Sequence, residues 1–147
     1  MSKQKVFVRS TVVILVIGCL FFGWKIYQNS TRVILSIEDL KNVRIKEENN
    51  QLFITGRADL DSFEKISNYG AVQKGDSLYI YIMKTKSLLK SDKIYENIDK
   101  IKISDSKDAP NKIYLISGNR IEVKYKDNPK MNYMDVIKYS EKRELFK

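Results

Sequence analysis

Two patterns of hydrophobic positions divide this chain. Residues 10–24 form a 15-residue run that is almost wholly apolar, broken only by Ser10 and Thr11 at its start. From Val33 onward the apolar residues come in short groups, several of them alternating with polar ones. The first pattern has no wet face to show to water and predicts a membrane-targeting helix. The second is the period-2 signature of half-buried strands.

The N-terminal run is short for a bilayer. Fifteen residues give roughly 22 Å of helix, against a hydrocarbon core of about 30 Å. Its edges extend it. Trp24 and Tyr27 are amphipathic rings that favour the membrane interface, and Lys25 snorkels, laying its methylenes along apolar surface with the ammonium at the headgroups. Residues 8–27 then make a 20-residue span. Lys3, Lys5 and Arg9 precede the apolar run that starts at Ser10, and no acidic residue occurs before Glu38. The positive-inside rule therefore predicts a single-pass signal anchor, with a cytoplasmic N-terminus and an extracytoplasmic C-terminal domain. Two other fates fit less of the sequence. Val16-Ile17-Gly18-Cys19 resembles a lipobox and makes Cys19 a candidate for lipidation, but the residues that follow it are apolar rather than a polar tether. Cleavage as a secretory signal lacks a good small-x-small site.

The division predicted is a transmembrane segment at 1–27, a polar linker at 28–32, a β-rich domain at 33–128, and a C-terminal helix or flexible tail at 129–147. Within the domain, residues 43–46 and 51–55 flank the turn cluster Glu47-Glu48-Asn49-Asn50 and read as a hairpin. Residues 71–74 and 77–83 flank Gly75-Asp76, and residues 112–117 and 120–125 flank Gly118-Asn119. Both pairs of turn residues suit a tight turn whose first central position takes a positive φ. Residues 100–104 alternate and predict a further strand. Asp61 and Glu64 have capping-box spacing and predict a short helix ending near Gly70, and residues 91–98 predict another turn or two of helix. The fold class is mainly β: an N-terminal transmembrane helix, then a small antiparallel β-sandwich or barrel-like sheet built from hairpins, with one or two short helices. The alternative is an α+β sheet packed by helices.

Charge changes this picture little. The net charge is +9, but residues 1–30 hold four basic and no acidic side chains, leaving 23 basic and 18 acidic in the remainder, a net of +5. Those charges alternate in sign along the chain, which argues against a nucleic-acid partner and for an ordinary solvated surface. The chemistry is more sharply bounded. With no histidine and one cysteine, Ser-His and Cys-His catalysis, histidine metal ligation, an intramolecular disulfide and a cysteine-rich zinc site are all excluded. Asp59, Asp61 and Glu64 are the tightest carboxylate group and read as a cap with two solvated neighbours. Ser87 and Lys90 match S-x-x-K, a spacing common by chance in a chain rich in both residues. Asp105 and Asp108 lack the glycine and closing glutamate of a calcium loop. No catalytic, cofactor or metal site is predicted.

Tyrosine is what remains. Tyr79 and Tyr81 share one face of their strand, opposite Leu78, Ile80 and Ile82. The aliphatic face is predicted to be buried, leaving the tyrosines exposed or beneath a second layer, as a candidate partner or ligand surface. The layout resembles small bacterial envelope proteins in which an N-terminal anchor carries one extracytoplasmic domain, and that resemblance implies no functional residue. The expected function is non-catalytic binding of another envelope protein, of the immunity, inhibitor or assembly-factor kind. The alternative is a binding module for anionic glycopolymers or lipid headgroups, using lysines near Tyr79 and Tyr81.

Overall fold

The computed structural model describes residues 2–104, 106–118 and 139–145. In chain order these form α1 (Lys3–Ser30), β1 (Val33–Ile34), a 3-10 turn (Ile37–Asp39), β2 (Leu40–Glu48), β3 (Gln51–Ala58), β4 (Glu64–Lys74), β5 (Ser77–Lys86), β6 (Lys93–Asn97), α2 (Ile98–Ile101), β7 (Ile103–Ser104), β8 (Lys112–Ser117) and β9 (Glu141–Leu145). The protein is mainly β, with one long apolar N-terminal helix.

The strands form two sheets. The smaller has the order β2-β3-β6, and the larger β7-β4-β5-β8-β9. β4 pairs along one edge of β5, while β8 and β1 divide the other edge, β8 beside residues 77–80 and β1 beside 83–84. The sheets meet in one apolar core. Ala71, Leu78, Ile80, Ile82, Ile113 and Leu115 come from the larger sheet, and Leu40, Ile45, Leu52, Ile54 and Ile94 from the smaller. Burying each such side chain removes enough apolar surface from water to favour the fold by about 1.5–3 kcal/mol.

Local chemistry explains the hairpins. β2 and β3 are joined by Asn49 and Asn50 alone, at φ of 52° and 60°. One of the two-residue turns matched to strand twist takes positive φ at both positions, and asparagine tolerates it better than most residues. Gly75, at φ 60°, opens the β4–β5 turn.

Several expectations give way. No helix forms after Asp61. Glu64 does reach back to the Asp61 N–H at 3.1 Å, as a capping box would have it, but the chain turns at 62–63 and enters β4. Gly70 lies inside β4 rather than at a helix end. Residues 93–97, within the second predicted helix, are β6, and helix appears instead at Ile98–Ile101, replacing the start of the strand predicted at 100–104. The predicted linker at 28–32 is largely the last turn of α1 and its cap. At the C-terminus, residues 141–145 are strand β9, antiparallel to β8, where a helix or tail was predicted. The strand predicted at 120–125, and Tyr133 and Ile137 of the predicted C-terminal helix, lie outside the described residues. The two β8 faces are as the alternation predicts, with Ile113 and Leu115 in the core and Tyr114 and Ile116 opposite.

Candidate functional site

α1 is long and apolar enough to cross a membrane, and none of its apolar stretch is buried against the domain. At its C-terminal end Trp24 and Tyr27 lie 5.5 Å apart between ring centroids, and Lys25 Nζ sits 5.7 Å from the Phe21 ring. The three predicted interface residues therefore occupy one turn of helix. Cys19 is exposed on the flank of α1, and the helix continues unbroken past it to Ser30.

The helix end is fastened to β5. Gln28 is buried, and its Nε2 donates to the Lys86 carbonyl at 3.1 Å. The Thr85 hydroxyl donates to the Gln28 carbonyl, which also accepts from Thr31 Oγ1 at 3.1 Å. The Lys86 N–H donates to Thr31 Oγ1 at 3.3 Å. Carbonyls at a helix C-terminus have no partner within the helix, and here side chains from the sheet and the exit turn satisfy one of them.

Beside this junction sits Glu64, with one carboxylate oxygen 3.0 Å from Lys84 Nζ and the other 3.2 Å from Lys86 Nζ. Burial pushes its carboxyl up, but the hydrogen bonds from Lys84, from the Asp61 N–H and from Lys86 outweigh that and hold it below the usual range. Both oxygens are thus committed to ion pairs. The group Asp59, Asp61 and Glu64 does not make a cation site among the described residues. Ser87 Oγ accepts the Leu89 N–H at 3.3 Å in a local turn, and Lys90 is exposed.

The two predicted surface tyrosines part company. Tyr81 is fully buried, in the layer that Val72, Met83 and Ile116 build on the far face of the larger sheet. Its ring covers Gly70, its pairing partner on β4, where a Cβ would overlap ring carbons. Its hydroxyl finds no hydrogen-bond partner among the described residues, and burial pushes its pKa up to about 12. Tyr81 therefore offers no exposed surface, unlike the exposed position expected as one alternative.

Tyr79 remains half-exposed and belongs to a larger group. It pairs in register with Tyr114 of β8, their rings stacked at 5.5 Å, and it stacks on Tyr139 at 6.0 Å. Lys142 Nζ lies 4.7 Å from the Tyr114 ring and 5.7 Å from the Tyr139 ring, within cation–π range. Ser117 Oγ donates to Glu141 at 2.6 Å, tying the start of β9 to β8 and fixing the approach of Tyr139. Three half-exposed tyrosines and an exposed lysine thus form a strip across the outer face of the larger sheet. Tyr114 was legible as the face opposite Ile113 and Leu115. Tyr139 and Lys142 were not, because only the long-range pairing of β9 with β8 brings them there.

No family model, curated protein or solved structure matches this chain.

Proposed function

We propose that the protein is a non-catalytic, membrane-anchored domain on the extracytoplasmic side that binds another envelope protein through the Tyr79–Tyr114–Tyr139–Lys142 strip. The observation that carries this reading is the strip itself. The strip packs rigid aromatic area around a basic group on the side of the sheet facing away from the main core. Aromatic residues are enriched where proteins meet, since they bury much surface and lose little conformational freedom. The length of α1 and the cations before its apolar run support the anchor.

The test has two parts. A topology reporter fused after Lys147 is expected to be active outside the cytoplasm, and a cytoplasmic reporter would sink the localisation. A photo-crosslinker at position 114 of the full-length chain, in its native membrane, is expected to give one discrete protein adduct, reduced at least tenfold by Tyr79→Ala. Absence of an adduct would reject the strip as a protein interface. Lys142 over the rings also favours an anionic polymer as a second occupant. Binding of such a polymer would weaken steeply with salt, because screening acts on exposed charges.

A further inference from the structure

We propose that the end of the domain from which α1 emerges is itself a bilayer-contact surface, with Phe63, Leu88 and Leu89 entering the headgroup layer of the membrane that α1 spans. The inference rests on α1 being an anchor, and it adds a second, domain-borne attachment to the same bilayer.

Register places these residues. β5 runs toward the helix: its last two residues, Thr85 and Lys86, bond to Gln28 and Thr31. β1 then leads the chain back along β5 from Lys84 to Met83, away from the helix. The Gly75-Asp76 turn, at the other end of the ten-residue β5, lies about 30 Å from the junction. Residues 87–90 continue past the helix end of β5. Phe63 lies beside them, its carbonyl accepting the Ser87 N–H at 2.9 Å, and the next residue, Glu64, pairs with Lys86.

Exposure singles them out. Outside α1, the three most exposed large apolar side chains among the described residues are Leu89 at 79 %, Leu88 at 71 % and Phe63 at 64 %. All three sit at this one end. Distances then fix the occupant. The 20 residues 8–27 match a hydrocarbon core of about 30 Å, and the headgroup layer beyond it is about 6 Å thick. Gln28, the next residue, already holds the Lys86 carbonyl. Leu88 and Leu89, two and three residues further on, lie within about 10 Å of that point. With α1 across the bilayer, lipid lies within that distance, and a protein partner would have to displace it to reach them. Lys90, exposed in the same loop, suits an anionic headgroup.

The test is quenching by brominated lipid, with the full-length chain in phosphatidylcholine–phosphatidylglycerol vesicles. Trp24 is the sole tryptophan, so the unmodified protein reports the anchor. Leu89→Trp and Asp76→Trp, each combined with Trp24→Phe, report the near and far ends of the domain. The expected result is at least twofold quenching of Leu89→Trp with a blue-shifted emission, and none for Asp76→Trp. Quenching of Trp24 without quenching of Leu89→Trp overturns the contact surface and leaves the anchor standing. Equal quenching at positions 89 and 76 overturns it as general adsorption. An unquenched Trp24 removes the anchor and this inference with it.

Discussion

Gly70 and Tyr81 form one unit at the scale of single residues. The phenol ring occupies the space a side chain at position 70 would need. Gly70→Ala is therefore expected to destabilise the protein by about 1–3 kcal/mol, the usual cost of overfilling a packed site. Adding Tyr81→Leu should recover most of that, since the two changes share one contact and are not additive. Urea denaturation in detergent micelles measures both, and a double variant no better than the single would refute the pairing. Glu64 carries a pH dependence. Its folded pKa lies below its ordinary value of 4.5, so its contribution is complete above that value and is lost as pH falls through the folded pKa. Stability of the native chain should drop between about pH 5 and pH 3. Glu64→Gln should flatten this window and cost on the order of 2 kcal/mol at neutral pH, where two lysines lose their partner. Unchanged pH profiles would show that the ion pairs contribute nothing.

At the scale of elements, the outcome depended on whether the deciding information was local. The turn at Gly75-Asp76 was legible because the positive φ it needs at Gly75 is a property of that residue alone, whereas the cluster read at 47–50 narrows to Asn49-Asn50, since Glu47 and Glu48 pair with Leu52 and Gln51 as the end of β2. That makes a prediction: Asn50→Gly, at φ 60°, relieves the remaining left-handed penalty and should stabilise the β2–β3 hairpin by about 0.5 kcal/mol, read as a raised thermal midpoint. A lower midpoint would mean the Asn50 side chain matters more than its backbone. The first part of β4, before the strand read at 71–74, was illegible for an equally specific reason. Ile66 faces the core, but the register shift between Ile66 and Asn68 changes the phase, so that Tyr69 and Ala71 face it afterwards. A bulge of this kind erases period-2 alternation, and the Asp61–Glu64 spacing then suggested a helix. The pairing of Glu64 with Lys84 and Lys86, some 20 residues away, decided for a strand. The candidate surface failed in the same way: Tyr79 was legible from its own strand, while Tyr139 and Lys142 arrive through β9.

At the scale of the whole molecule, the long apolar N-terminal helix and the β-rich character were the most legible features, since both follow from hydrophobic period rather than from partner choice. The short polar stretch after the apolar run was the most misleading, because its residues suit a free tether as well as a capped helix. Its fastening to β5 has a mechanical consequence. A domain on a loose string searches a hemisphere, and its height and heading are unrelated to the membrane beneath it. With Gln28, Thr31 and Thr85 joining helix to sheet, domain and helix turn as one lever. An apolar stretch tilts to suit the thickness of its bilayer, so in the proposed arrangement a thicker or thinner membrane would swing the tyrosine strip through the same angle. Lipid composition would then govern which way the strip points, and a neighbour embedded in the same sheet of lipid would meet it at a nearly constant altitude.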